Sequence, residues 1–392
     1  APAQPRVAEM LLHEADGLVI AQDLRADRDY PPFDKSLMDG YAVRCAEVAS
    51  VVDGAPVELA LAGEIAAGQQ PAGGLAEKHA MAIMTGAPLP RGADGVVPIE
   101  DVEKLDGRVR ILRSAGSALA PGRFVAKRGS DVRAHDIVVT KGTRLNAAQL
   151  AAAASVGAAR VSAFVPPRVA VFSTGNEIVP YDEAPAPAQI RDCNTIMLLS
   201  LLRRLGCDAY DLGIVPDDPA QIRVAIEEAA DADIIFITGG MSMGEYDFVP
   251  RVLKEMAIEL RITKLRIKPV KPFVFGINAS SPELQYIFGL PGNPVSGFVC
   301  TVRLASRLIQ RLRGDRVTER WVEGILADPL PANGPREFYQ PVMLRDTRVT
   351  PLQWRGSADV YTLARANALL VRAENEPALI GGSRVRVLEV PQ

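Results

Sequence analysis

Between Asp233 and Asp247 the chain reads Asp-Ile-Ile-Phe-Ile-Thr-Gly-Gly-Met-Ser-Met-Gly-Glu-Tyr-Asp. The apolar, β-branched run at its start suits a strand buried on both faces of a parallel sheet. Thr238-Gly239-Gly240 then stops it, because adjacent glycines free the backbone for positive φ and for close approach of another group. Helical spacing resumes from Phe248 to Met256. A strand, a glycine turn and a helix start place backbone N–H groups at the carboxyl end of a sheet, where phosphates bind. A tight turn without a ligand would explain Gly239-Gly240 alone. Ser242, Gly244, Glu245 and Asp247 add a hydroxyl, a further glycine and two carboxylates to the same turn, which favours a ligand site.

The same pattern recurs from Arg168 onward. Val169–Phe172 reads as a strand running into Ser173-Thr174-Gly175-Asn176-Glu177. Asn194 is the expected cap of a helix to Leu205, with Arg203-Arg204 in its last turn and Gly206 beyond it. A strand around Tyr210–Val215 leads to Asp217-Asp218-Pro219, where Asp218 caps and Pro219 opens a helix to about Ala230. Strands are expected at Leu260–Ile267, Phe273–Ile277 and Tyr286–Phe288, and Gly289–Gly297 turns into a helix ending near Gly314. Repeated βα units predict a mostly parallel sheet covered by helices on both faces, a three-layer α/β/α domain. The polar clusters all follow strands, so they share one rim. Glu177, Asp217 and Asp247 can converge there. Two carboxylates about 4 Å apart repel by roughly 4 kcal/mol at an effective dielectric of 20, so convergence needs a cation or a raised pKa. Without convergence Asp217 is a helix cap and Glu177 a solvated loop residue. On one continuous strand, Lys264, Arg266 and Lys268 would share a face that suits an anion, or would guard a sheet edge.

The flanking regions have a different texture. Arg6–Ala21 has helical spacing broken by Gly17, which predicts a short helix and a second helical turn. Pro31-Pro32 ends that segment. Phe33–Val43 packs charges, a hydroxyl and Asp39-Gly40 into a loop before a strand, and the Asp-Gly pair is also simply a turn pair. Short β runs from Val51 to Arg113, punctuated by Gly and Pro, predict a small mixed-β domain. Thr85-Gly86-Ala87-Pro88 ends one of these strands as a pocket lip or a structural turn. Gly122–Asp131, with Arg123, Lys127, Arg128 and Asp131, reads as a solvated basic loop with an acid at its end. Leu145–Ala159 is uncharged and Ala-rich, hence helical. From Val317 short strands with frequent turns predict a small C-terminal β-barrel.

Of 392 residues, 48% are hydrophobic and 23% charged, with a net charge of −3, a balance that fits several soluble domains and gives no nucleic-acid-coating surface. The four cysteines form no CxxC pair, so neither a zinc knuckle nor a disulfide framework is indicated and reduced thiols in a cytosol are the simple reading. Three scattered histidines leave oxygen ligands as the metal donors, as for Mg²⁺. No secretory signal is read, and a start at Ala1 rather than Met leaves room for trimming. The longest uncharged run, Leu284–Val302, is broken by Pro291-Gly292-Asn293-Pro294, so no membrane span is expected.

Six motifs taken in chain order resemble the molybdopterin molybdenumtransferase family, which includes bacterial MoeA proteins and the gephyrin E domain. They are Phe33-Asp34 with Met38–Val43, Thr85–Pro88, Phe172–Glu177, Gly239–Asp247 with its glycines and Ser242, Ile267–Pro272 with Lys268 and Lys271, and Gly289–Ser296. The resemblance spans nearly the whole chain. It implies insertion of molybdenum from molybdate into adenylylated molybdopterin with release of AMP, Mg²⁺ as cofactor, and a cytoplasmic homodimer with shared active-site clefts. The molybdopterin adenylyltransferase of the same pathway is an implied partner, and no nucleic acid or membrane is. It also implies a division into residues 1–27 with 132–166 (linking and dimerisation), 28–131 (small mixed-β), 167–316 (central α/β) and 317–392 (β-barrel).

Carried over by position, Asp39 and Thr85 come from the partner subunit and Asp131 from the cleft wall. Glu177, Asp217 and Asp247 are metal-binding or catalytic carboxylates. Ser173, Thr174 and Gly175, together with Gly239, Gly240, Ser242 and Gly244, bind pterin or phosphate. Lys264, Lys268 and Lys271, the turn Pro291, Gly292, Asn293 and Pro294, and Arg336 and Ser357 shape the molybdate and nucleotide pocket. The chain departs from the family pattern at Asn176, where Asp is common, at Val270, where Gly is usual, and in a short N-terminal segment. Two alternatives stay open, the adenylyltransferase step itself and a non-catalytic molybdopterin-binding scaffold. The flanking domains count against the first, and the lack of a fused adenylyltransferase domain against the second.

Overall fold

The computed structural model describes residues 5–53, 55–112, 120–241, 248–281 and 284–391, which form two compact units. One comprises residues 11–16 and 22–161, the other residues 1–10, 17–21 and 162–392. The chain is a multi-domain α/β protein, as its sheets show.

In the first unit, six strands form one mixed sheet: β1 (Gly40–Val43), β2 (Val57–Ile65), β3 (His79–Ile83), β4 (Gly95–Pro98), β5 (Val102–Leu105) and β6 (Arg108–Ile111). Their order is β4-β1-β3-β2-β6-β5, with β2 and β3 parallel and the other pairs antiparallel. Alternation puts Tyr41 and Val43 in one core and Ala42 in another, so the sheet is covered on both faces. The alanine-rich segment is helix α1 (Ala147–Ser155), started by a capping box in which Asn146 accepts from the Ala148 and Gln149 amides.

The second unit holds the α/β layers: β7 (Arg168–Thr174), α2 (Asn194–Arg204), β8 (Asp208–Val215), α3 (Pro219–Glu228), β9 (Ile234–Thr238), α4 (Val249–Glu255), β10 (Glu259–Lys264), β11 (Pro272–Asn278), β12 (Gln285–Leu290), α5 (Pro294–Cys300) and α6 (Ser306–Leu312). The sheet order is β8-β7-β9-β12-β11-β10; the first four strands are parallel, β11 runs antiparallel to both its neighbours, and β10 therefore runs with the first four. Val169, Val171, Ile234 and Phe236 pack with α2, α5 and α6, while Ala170, Phe172, Ile235 and Ile237 pack with α3 and α4. Both faces are therefore buried, and the continuous apolar runs follow from that. The chain runs from β7 to β8 on one side, then crosses back to β9 on the other. The carboxyl ends of β7 and β9 thus flank a topological switch point.

Five strands close the C-terminal barrel: β13 (Trp321–Leu326), β14 (Glu337–Arg345), β15 (Arg348–Pro351), β16 (Ala368–Arg372) and β17 (Arg384–Glu389). Pairing runs β14-β15-β13-β17-β16 and back to β14. Closure leaves no strand edge in that ring. Barrel residues Tyr339, Leu369 and Leu388 join the core beneath α2 and α5, which ties the barrel to the α/β layers.

Three sequence expectations are corrected. Val7–Leu11 is a strand paired with Arg160–Phe164, not a helix. The apolar spacing fits either period over so few residues, and the partner strand decides it. Asn194 is the first residue of α2, not its cap; Asp192 Oδ1 accepts from the Asn194 and Thr195 amides at 2.8 and 3.1 Å. The strand expected to run to Ile267 ends at Lys264, and Ile267–Lys268 pairs instead with β14. Lys264 and Lys268 therefore lie on different sheets and share no face. Arg266, between them, is held by Glu374 at 2.8 Å. Among the described residues no helix is long and apolar enough to cross a membrane.

Candidate active site

Three turns meet at the switch point. The first follows β7. Thr174 Oγ1 donates to Asp217 Oδ1 at 2.6 Å, the Asn176 amide donates to Asp217 Oδ2 at 3.3 Å, and the Asp217 amide donates to Asn176 Oδ1 at 3.2 Å. The β7 turn and the β8 turn are thereby locked reciprocally. A Cβ on Gly175 would fall 2.8 Å from Glu177 Oε2, so the Glu177 carboxylate folds back over that turn. Glu177 and Asp217 are thus held by the two turns that the Asn176–Asp217 bonds join.

The second turn follows β9. Gly239 has φ +96°, and a Cβ there would fall 2.1 Å from the Thr174 carbonyl oxygen. No other residue lets β9 turn so close to β7. The third turn follows β12, and a Cβ on Gly292 would lie 3.7 Å from the Gly239 Cα. Asn194 spans these last two turns. Its Nδ2 donates to Thr238 Oγ1 at 3.1 Å and to the Gly292 carbonyl at 2.7 Å. A carbonyl only accepts, so the amide orientation is fixed. Its Oδ1 is buried with no partner among the described residues. Behind it, Ser173 Oγ lies 2.9 Å from Thr195 Oγ1, which donates to Asp192 Oδ2 at 2.7 Å.

The Pro291–Ser296 turn leads to a second cluster. Pro291 and Pro294 are buried, and Gly292 and Asn293 exposed. The Val295 amide donates to the Ser357 carbonyl at 3.1 Å, and Ser296 Oγ donates to the Pro269 carbonyl at 2.9 Å. Ser357 and the Lys268–Lys271 segment thus meet at the start of α5. Lys264, Lys268 and Lys271 are exposed, and the Arg336 carbonyl accepts from Asn333 Nδ2 at 2.9 Å.

The other predicted residues belong to the first unit. The Thr85 amide and hydroxyl donate to Asp39 Oδ1 at 2.6 and 2.8 Å. These two bonds, the backbone one first, hold the Asp39 carboxyl below its ordinary value of 3.8. Gly122–Asp131 is not a freely solvated basic loop. Lys127 Nζ and the Arg128 amide both donate to Asp34 at 2.8 Å, and Arg128 Nε to Asp29 at 2.7 Å. Burial works to raise the Asp34 pKa, but these donors outweigh it and the net shift is downward. Asp131 is exposed and accepts from Ser130 Oγ at 3.0 Å.

Ser242, Gly244 and Asp247 lie outside the described residues. Among the described residues, no group of three His, Cys, Asp or Glu side chains is placed to hold a metal. The side chains at the switch-point turns, Glu177, Asp217 and Thr174, offer hard oxygens of the kind Mg²⁺ takes. Sequence reasoning missed Asp192 and misassigned Asn194. Asp-Cys-Asn ahead of an apolar run carries two cap-type residues, but only the fold shows which one caps and which one reaches the glycine turns.

Three families match consecutive parts of the chain: "MoeA N-terminal region (domain I and II)" over residues 2–157, "Probable molybdopterin binding domain" over 170–311, and "MoeA C-terminal region (domain IV)" over 323–390. A Nostoc sp. protein named molybdopterin molybdenumtransferase is 34% identical, over 97% of this chain and 88% of its own length. A Haemophilus influenzae protein of the same name is 35% identical over 78% of this chain and 72% of its own. The crystal structure of a molybdopterin biosynthesis moea protein from Pyrococcus horikosii superposes with a TM-score of 0.87 at 32% identity, covering 99% of this chain and 95% of that one.

Proposed function

The chain belongs to the MoeA family of molybdopterin molybdenumtransferases, and from that premise we propose that the crevice at the β7–β9 switch point binds adenylylated molybdopterin and that the protein inserts molybdenum from molybdate, releasing AMP. The observation that carries this reading is the joining of the β9 and β12 glycine turns by the Asn194 amide. It fixes a rim in which the Gly239 backbone lies too close to β7 for any side chain, of the kind that accepts a phosphoanhydride.

In this reading Ser173, Thr174 and Gly175 bind the substrate with Gly239 and Gly240, and the same role is proposed for Ser242 and Gly244. Glu177, Asp217 and Asp247 would hold Mg²⁺, whose charge offsets that of the phosphoanhydride and polarises its oxygens. Thr174 and Asn176 fix the orientation of the Asp217 carboxylate. Lys264, Lys268 and Lys271, with Arg336, Ser357 and the Pro291–Pro294 turn, take the anionic ends of the substrates. The enzyme works as a cytoplasmic homodimer in which Asp39, Thr85 and Asp131 complete the partner's cleft, and it receives its substrate from the adenylyltransferase of the same pathway. The four-part division at residues 27/28, 131/132, 166/167 and 316/317 belongs to the same reading.

Incubation with adenylylated molybdopterin, molybdate and Mg²⁺ tests it. AMP release that requires molybdate is expected, and AMP at background level overturns the reading. ATP-dependent adenylylation of molybdopterin would identify the preceding step instead.

A further inference from the structure

Lys268 ends the short strand laid parallel on β14, where it pairs with Phe338. Its ammonium lies 4.5 Å from the Phe338 ring centroid and 5.6 Å from that of Trp354. The two rings stack on each other at 5.1 Å with their planes 27° apart. Phe338 is buried, whereas Lys268 is exposed. Its neighbour Arg266 is neutralised by Glu374 at 2.8 Å. Lys268 differs: among the described residues no carboxylate lies within ion-pair distance of it.

This arrangement has an electrostatic consequence. An ion pair cancels the charge it orients, whereas an aromatic face orients a cation through its quadrupole and leaves the net charge intact. The indole Nε1 of Trp354 is buried and has no partner among the described residues. The contact that Trp354 makes with Lys268 is through its ring and not its N–H. We propose that Phe338 and Trp354 form the floor of a tetrahedral-oxyanion subsite, holding the Lys268 ammonium in place with its full charge available to the anion; Trp354 is a positioning residue. The inference rests on the reading above for the identity of that anion, molybdate.

The chain has two tryptophans. In a W321F background Trp354 is the only indole, and its emission reports directly on the ammonium above it. Titration with sodium molybdate is expected to change that emission saturably, and adding K268M is expected to abolish the change. In AMP-release assays W354L is expected to raise the molybdate KM about 3- to 30-fold with kcat within about twofold, the range of cation–π contacts. W354F keeps a ring without the N–H and is expected to stay within about threefold of the parent KM. A silent Trp354, with molybdate still retained in equilibrium dialysis, overturns the subsite and leaves the proposed activity standing. W354L and W354F behaving alike overturns it as well. Absence of molybdate retention overturns both. Should W354L fail to fold, the fluorescence titration, which keeps Trp354, decides alone.

Discussion

Asp217 is gripped at both carboxylate oxygens, by the Thr174 hydroxyl at 2.6 Å and the Asn176 amide at 3.3 Å. A carboxylate oriented this way keeps lone pairs free for a cation or a proton. Asp217→Asn replaces one acceptor oxygen with a donor and removes the charge. It should lower molybdate-dependent AMP release by about 10²-fold or more and raise the Mg²⁺ concentration needed, while the melting temperature moves little. Unchanged turnover in this variant would show Asp217 to be a structural link only. Asp39 offers a test by titration. Its carboxyl is held below 3.8 by the two Thr85 bonds, so whatever it adds to stability is present above the ordinary value and is lost as pH falls through the lower folded value. Thr85→Ala should move the Asp39 midpoint upward in a carboxyl NMR titration, and an unmoved midpoint would contradict the assignment. The positions of these residues are legible in the sequence because each sits in a short motif beside a strand, Asp217 after one and Asp39 before one. The position of Trp354 is not, because its contact is with Lys268, 86 positions away in the chain.

The start of α2 shows what an element adds to its residues. Asp192 caps the helix through both leading amides and holds Thr195 Oγ1, which in turn meets Ser173 Oγ beneath β7. Asp192→Ala should cost about 1–2 kcal/mol of unfolding free energy in urea melts, the usual worth of such a cap. It should also lower activity, because Asn194 takes its register on the glycine turns from that cap. If activity survives the loss of stability, the register is set elsewhere. Elements with a strong period or a clear cap, such as α1, α3 and the strands β7 and β9, are legible in the sequence, because the residues that specify them are neighbours in the chain. The ambiguous ones are settled by partners far along it. Val7–Leu11 is a strand because Arg160–Phe164 offers it hydrogen bonds, and Lys268 leaves the β10 face because β14 offers it a different sheet.

At the scale of the molecule, the cysteines sample both compact units. Cys45 lies in the core beneath β1, and Cys207 and Cys300 lie together in the core of the second unit. Burial pushes the Cys45 and Cys207 thiols up to about 12 and raises Cys300 well above its ordinary value. At pH 8 a thiol of pKa 12 is thiolate in only about one molecule in ten thousand, so these groups are inert while the fold holds. Cys193 is exposed, although partial desolvation and the Asp192 carboxylate raise its pKa too. Alkylation of the native protein at pH 8 should therefore modify Cys193 alone. Under increasing denaturant, pulsed alkylation read by mass spectrometry should unmask Cys207 and Cys300 in one transition, because the same apolar cluster covers both. Cys45 is covered by a separate core and should follow the midpoint of its own unit. Cys207 and Cys300 emerging at different midpoints would mean that the sheet layers and α5 do not fold as one body, and the proposed site at the switch-point turns would then lack a rigid frame.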